Sequence, residues 1–199
     1  MKEKFINSSI NFITKYQTCD DLKLIKLKYG LEGIYGTFIK LIIVILISIL
    51  FNTLKETAYI LLFYAGIRTF SYGWHAKNSL TCWISTILIY NIIPILIKSF
   101  EIPTVFGYII LAISLMSVIL WSPADTPKKP LIRKNNRLKC KIISIIVVLI
   151  YSLLYLLTDL VLIKNTLIYA LIIESILINP LTYKITKTQF NNYKYYKKQ

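Results

Sequence analysis

Histidine and cysteine are scarce in this chain of 199 residues, which has one histidine, His75, and three cysteines. Cys19, Cys82 and Cys140 are odd in number, widely spaced and without a ligand pattern, so they predict neither a disulfide framework nor a metal site. A sequence repeat, a phosphate-binding loop and a pair of carboxylates at enzymatic spacing are also absent. These absences predict that the protein works without a metal or a cofactor.

Acidic residues are few as well: nine, against 24 lysines and arginines, giving a formal net charge of +15. Hydrophobic residues make up 56% of the chain and the mean hydropathy is +0.60. The positive charge falls at the ends and between long uncharged runs. This distribution is typical of the cytoplasmic face of a membrane protein, so no nucleic-acid partner is expected.

Apolar runs set the expected fold class, an all-α polytopic integral membrane protein with about six membrane-embedded helical segments. The six stretches are roughly 34–54, 57–67, 80–97, 102–121, 141–163 and 165–182. The second has only about 11 residues before Arg68. It forms half a span, a re-entrant helix or a span completed by Ser71 to Trp74. A variant with four spans and two re-entrant stretches is open too.

One membrane-embedded domain, 1–199, is expected, flanked and interrupted by basic segments. Residues 1–30 alternate apolar and charged positions, as an amphipathic helix does in the membrane interface or when packed on the protein. The loop 122–140 begins rich in proline and carries a run of basic residues. The tail 183–199 is basic as well. The loop charge attracts anionic lipid and sets topology, or else it docks an acidic partner.

Charge asymmetry orients the chain. If the N-terminus is inside and all six stretches cross, the inside segments hold 20 of the 24 lysines and arginines. The positive-inside tendency favours this arrangement. It places the stretch from Arg68 to Cys82 on the cytoplasmic side, where thiols stay reduced.

His75 and Cys82 together form the minimum of a cysteine nucleophile with its base. On one straight helix their α-carbons would be about 10.5 Å apart, too far for direct contact. A working pair therefore needs a break, which Gly73 and the N-capping residues Asn78 and Ser79 provide. Cys82 would then lie in the first turn of a helix, where the backbone N–H groups favour a thiolate. The alternative is that both side chains only pack.

A resemblance to the AgrB family, integral-membrane cysteine endopeptidases of bacterial peptide quorum sensing, rests on this stretch and two others. In that family an arginine precedes a glycine and a His-Ala pair, with a cysteine seven residues beyond the histidine. The matching positions are Arg68, Gly73, His75, Ala76 and Cys82, and the further stretches are Tyr29-Gly30-Leu31-Glu32 and Ala124-Asp125-Thr126-Pro127-Lys128-Lys129-Pro130-Leu131. Tyr72 replaces the first of the paired glycines that the family often has.

The resemblance implies a membrane peptidase of the bacterial cell membrane that removes the acidic C-terminal tail of an AgrD-like precursor with an amphipathic leader. Cys82 would be the nucleophile and His75 the general base and acid, with a thioester on Cys82 that cyclises to a thiolactone or lactone autoinducing peptide. The expected supporting residues are Arg68, Gly73, Asn78 and Ser79, and the expected substrate-binding residues are Glu32, Lys128, Lys129 and Arg133. Membrane lipids and a second copy in a homodimer are the other expected partners. The competing hypothesis is a non-enzymatic transporter or scaffold.

Overall fold

The computed structural model describes residues 2–16, 20–76, 78–127 and 129–195, and within these ranges the regular structure is helical. In chain order the α-helices are α1 (Lys2–Tyr16), α2 (Asp21–Leu50), α3 (Leu54–Ser71), α4 (Ser79–Ile87), α5 (Ile93–Ser99), α6 (Thr104–Trp121), α7 (Lys134–Leu157), α8 (Val161–Ile178) and α9 (Pro180–Ile185). A π turn, Leu88–Ile92, joins α4 to α5 just before Pro94, which lacks the N–H that a regular helix would use.

Among the described residues, five helices are long and apolar enough to cross a membrane, by length and composition. They are Asp21–Leu50, the joined helix Ser79–Ser99, Thr104–Trp121, Lys134–Leu157 and Val161–Ile178. The expectation of an all-α polytopic membrane protein is thereby confirmed. The second apolar stretch forms α3, which does not meet these criteria within the described residues.

Two boundaries differ from the sequence prediction. Residues 21–30 belong to the same helix as the first apolar stretch, because α2 runs from Asp21 to Leu50 without a break, whereas the interfacial position of residues 1–30 stays a prediction. The last two spans separate at residues 158–160 rather than beside Lys164. Lys164 lies in the first turn of α8, where its Nζ is 5.6 Å from the centroid of the Tyr155 ring. A cation–π contact of this kind lets a lysine remain in the helix.

The chain divides into two compact units, Met1–Ile47 and Ser48–Gln199. In the first unit, Lys2 Nζ lies 3.3 Å from Glu32 Oε1, and the rings of Phe5 and Tyr35 are 5.5 Å apart. These two contacts join α1 to α2. Because the ion pair is exposed to solvent, it contributes little to stability.

In the second unit, α8 is the central helix. Half of the residues in its 18-residue apolar stretch are buried, whereas 28% or less are buried in the corresponding stretches of the other candidate spans. It packs against α3 and α6, and both of those helices also pack against α7. The buried core between them includes Ile67, Val148 and Leu171. Any polar group that α8 carries on its buried face must therefore be satisfied inside the protein.

Asn165 on α8 shows how such a group is satisfied. Its amide nitrogen donates to the carbonyl oxygens of Ile97 and Phe100, at 3.3 and 3.0 Å. Its side-chain oxygen accepts from the backbone N–H of Ile102, at 3.2 Å. One buried side chain thus holds the whole turn between α5 and α6.

We expect Asn165→Leu to lower the free energy of unfolding by about 2 kcal/mol, because three backbone groups lose their partner. The measurement is unfolding in mixed detergent micelles. Asn135→Ala, at an exposed position of α7, is the matched control and should change stability by no more than about 0.5 kcal/mol. Equal stabilities for Asn165→Leu and the wild type would contradict this role.

Candidate active site

The segment between α3 and α4 carries the only histidine. α3 ends at Ser71, and the next two residues have positive φ, 66° at Tyr72 and 90° at Gly73. Glycine adopts such a conformation without strain. A Cβ at Gly73 would also meet the Arg68 guanidinium and lie 3.2 Å from the carbonyl oxygen of Leu177. Both backbone conformation and space therefore require glycine here.

Backbone hydrogen bonds hold this segment from two sides. The Gly73 N–H donates to the Ala124 carbonyl at 2.8 Å, and the Ala124 N–H donates to the Ser71 carbonyl at 3.0 Å. The Trp74 N–H donates to the Leu177 carbonyl of α8 at 2.8 Å. The segment before His75 is thus attached both to the proline-rich loop and to the central helix.

The proline-rich loop is itself organised around the buried carboxylate of Asp125. That carboxylate accepts from Arg137 Nη1 at 2.7 Å and from the backbone N–H groups of Leu131 and Tyr193, at 3.2 and 3.1 Å. The Tyr183 hydroxyl donates to the Ala124 carbonyl at 2.8 Å. Asp125 therefore shapes the loop that contacts the His75 segment.

Cys82 lies in the first turn of α4, as the predicted helix break requires. Asn78 occupies the N-cap position in an extended conformation, and its carbonyl accepts from the Cys82 N–H at 3.1 Å. Its side chain does not cap the helix; instead, Asn78 Oδ1 accepts from the Thr81 hydroxyl at 3.4 Å. α3 ends at Ser71 and α4 begins at Ser79, so His75 and Cys82 do not lie on one continuous helix.

His75 and Cys82 both line one cavity of about 320 Å³. Arg68, Lys129 and the rings of Trp74 and Tyr90 also line it, and Ile89 and Leu177 supply apolar wall. His75 and Cys82 are each half-buried. The fold thus brings a thiol, an imidazole and two cations to one partly apolar cavity, and these are groups that can perform nucleophilic catalysis.

Arg68 connects this cavity to the protein interior. Its Nη2 donates to the Trp74 carbonyl and lies 3.1 Å from His75 Nδ1. Its Nη1 lies 3.6 Å from Oε1 of Glu174, a carboxylate with no exposed surface that also accepts from the Ser71 hydroxyl. One guanidinium thus touches both the candidate base and a buried acid.

Burial lowers the pKa of His75 below the ordinary value of 6.5, and the positive charges of Arg68 and Lys129 lower it further. Both causes disfavour the imidazolium form. His75 is therefore neutral at pH 7 and able to accept a proton. Its Nδ1 has a second neighbour, the Gly73 carbonyl oxygen at 3.4 Å.

The other residues singled out from the sequence are distributed as follows. Lys129 is exposed and lines the cavity, with its Nζ 4.4 Å from the centroid of the Tyr72 ring. Arg133 is exposed at the N-cap position of α7, and Asn78 and Ser79 are exposed at the start of α4. Glu32 belongs to the first unit and pairs with Lys2. Lys128 lies outside the described residues.

The sequence marks Glu174 as an ionisable residue inside a span, but it indicates no partner for Glu174 and no role for the carbonyls of Ala124 and Leu177. The carbonyls leave no trace in sequence, since every residue has one. Glu174 does leave one, because it is the only acidic residue of α8. An ionisable residue inside a span marks a functional site by default.

Fold and cavity together define a multi-pass membrane protein with a candidate thiol–imidazole site. Comparison with known proteins then gives its family. The sequence model of the family Accessory gene regulator B matches residues 6–182, and the chain belongs to that family.

Curated relatives agree with the family assignment. The chain is 32% identical to accessory gene regulator protein B of Staphylococcus carnosus over 145 residues, which are 73% of this chain and 75% of the relative. It is 33% identical to a putative AgrB-like protein of Listeria innocua over 180 residues, covering 89% and 87%. A putative AgrB-like protein of Clostridium acetobutylicum is 30% identical, covering 91% and 87%. No solved structure matches.

Family membership gives the chain a role in accessory gene regulator quorum sensing.

The electrostatics of His75 can be measured directly, because one labelled histidine gives one set of NMR signals. In protein carrying a tag without histidine, we expect ¹⁵N-histidine titration to give a pKa below 6.5. Arg68→Gln should raise that pKa, since it removes a neighbouring positive charge.

Lys55→Gln is the matched control, as it removes a charge about 20 Å away along α3 and should leave the titration unchanged. A wild-type pKa of 6.5 or above, or no response to Arg68→Gln, would contradict the described electrostatics.

Proposed function

We propose that the protein is a cysteine endopeptidase that matures a quorum-sensing peptide from an AgrD-like precursor. The observation that carries this proposal is the cavity shared by Cys82 and His75, on separate segments that the helix break brings together. The family model and the relatives support the signalling context. The site lies on the cytoplasmic side of the bacterial cell membrane, as the charge asymmetry favours. The homodimer implied by the resemblance stays a prediction.

The first step is attack by the Cys82 Sγ on the scissile carbonyl of the precursor. His75 accepts the thiol proton and later delivers it to the leaving amine, which departs with the C-terminal tail. The core peptide remains as a thioester on Cys82. A Cys or Ser side chain of that peptide then attacks the thioester, which forms the ring and restores the thiol.

Two neighbours of His75 Nδ1 favour different proton arrangements. A guanidinium only donates, so Arg68 requires a lone pair on Nδ1, which places the proton of the neutral ring on Nε2. The Gly73 carbonyl only accepts, so it favours a proton on Nδ1. In that second tautomer Nε2 carries the lone pair and can act as the base. Gly73 O also gives the imidazolium an acceptor after proton transfer.

Water exclusion decides between cyclisation and hydrolysis of the thioester. The apolar wall contributed by Ile89 and Leu177 disfavours water in the cavity that Cys82 lines. A nucleophile on the bound peptide is held close at a high effective concentration. Both effects favour ring closure over hydrolysis.

The acidic tail of the precursor finds its complementary charge at the exposed cations Lys129 and Arg133. Arg68 is less suited to this role, because Glu174 and the His75 segment already engage its guanidinium. Lys129 lines the cavity, so a tail bound there places the preceding peptide bond near Cys82.

Replacing the nucleophile tests the reaction. We expect Cys82→Ala to lower cleavage of a co-expressed precursor at least about 1,000-fold, and His75→Ala to lower it about 100-fold or more. Both variants should reach the membrane in normal amounts. Cys140→Ala, which removes another described thiol, is the matched control and should cleave normally. Normal cleavage by Cys82→Ala would falsify the proposal.

Docking of the tail is tested by charge reversal. We expect Lys129→Glu and Arg133→Glu each to raise the KM for the precursor about 5-fold at low salt, with a smaller effect at high salt. A precursor with lysines in its tail should reverse the preference. Lys184→Glu makes the same charge change at an exposed position of α9 and serves as control. If Lys129→Glu and Arg133→Glu change the KM no more than Lys184→Glu does, the tail binds elsewhere.

A further inference from the structure

Glu174 is buried in α8, and its carboxylate faces α3. Its side chain has no exposed surface. Its Oε1 accepts from the Ser71 hydroxyl and lies 3.6 Å from Arg68 Nη1. Its Oε2 has no hydrogen-bond partner within the described part of the chain. A buried carboxylate is costly unless a cation offsets it, so Arg68 is held toward α8.

The other terminal nitrogen of the same guanidinium contacts the His75 segment. Arg68 Nη2 donates to the Trp74 carbonyl and contacts His75 Nδ1. The Leu177 carbonyl, one helical turn after Glu174, accepts from the Trp74 N–H. α8 therefore supports the segment twice, directly through Leu177 and indirectly through Glu174 and Arg68.

We propose that Glu174 is a positioning residue for His75 and that it acts through Arg68. Its carboxylate draws the guanidinium toward α8 and offsets the positive charge beside the imidazole. Both effects weaken the hold of Arg68 on the Nδ1 lone pair. Nδ1 is then free to carry its proton toward the Gly73 carbonyl, which leaves Nε2 as the base.

This inference rests on the proposed function for its catalytic consequence but not for its physical one. The position of the proton on His75 and the pKa of His75 are properties of the folded protein, whether or not it cleaves a peptide. The other titratable or charged side chains that line the cavity are Tyr64, Tyr90, Cys82 and Lys129. None of these is changed in the comparison below.

The experiment is ¹⁵N-histidine NMR on four proteins in nanodiscs: wild type, Glu174→Gln, Glu174→Asp and Asp159→Asn. In Glu174→Gln the charge of Arg68 is no longer offset. We therefore expect the His75 pKa to fall by about half a unit or more and the Nε2–H tautomer to gain population. Glu174→Asp keeps the charge and should stay near the wild type. Asp159→Asn removes an exposed acid between α7 and α8 and should change neither quantity.

The double variant Arg68→Gln with Glu174→Gln separates positioning from folding. It leaves no unpaired buried charge, so it should fold even if Glu174→Gln does not. Because Glu174 acts through Arg68, the double variant should have the same His75 pKa and the same tautomer as the single variant Arg68→Gln. A different pKa in the two proteins would overturn the proposal, as would a stable Glu174→Gln protein with a wild-type titration.

Cleavage supplies the catalytic readout. We expect Glu174→Gln to lower kcat about 10-fold with little change in KM, since the carboxylate does not touch the substrate, and Glu174→Asp to keep most of the wild-type kcat. If no variant, including the wild type, cleaves the precursor, the proposed function fails while the NMR comparison still decides the role of Glu174. If the wild type cleaves and Glu174→Gln retains full kcat, positioning by Glu174 is wrong.

Discussion

The guanidinium of Arg68 is the contact on which the rest of the site depends. It joins α3 to the buried carboxylate of α8 and to the backbone and imidazole of the His75 segment. Placing two opposite charges inside an apolar bundle is costly unless each satisfies the other. That requirement favours an arrangement in which α8 meets the end of α3, where Glu174 contacts both Arg68 and Ser71.

From that point the segment has little freedom. Gly73 leaves room for the guanidinium because it has no Cβ, and the backbone bonds to Ala124 and Leu177 direct the chain toward the cavity. The proline-rich loop enters the same construction, because Asp125 shapes it and Ala124 bonds to the segment. Three distant parts of the sequence thus meet at the His75 segment, and α4 adds Cys82 to the same cavity.

Local chemistry was sufficient to predict part of this from sequence. Apolar runs predicted the membrane-spanning helices, and Gly73 with Asn78 predicted that the helix is interrupted between the histidine and the cysteine. The boundary between the last two spans was predicted wrongly at Lys164. The ammonium group of Lys164 lies over the Tyr155 ring within α8, and the turn between the helices is formed by Thr158 to Leu160. The pairing of Arg68 with Glu174 joins residues 106 positions apart. Single-sequence patterns do not encode which helix faces meet, so that pairing required the structure.

The central claim is that Cys82 becomes acylated by the precursor peptide, with His75 as its base. The most direct test is to incubate the reconstituted wild-type protein with precursor, quench it in acid and measure the mass of the peptide that contains Cys82. We expect an adduct with the mass of the core peptide, removable by neutral hydroxylamine as a thioester is, and absent from Cys82→Ala. Release of the tail with no adduct on Cys82, or an adduct on another residue, would contradict it.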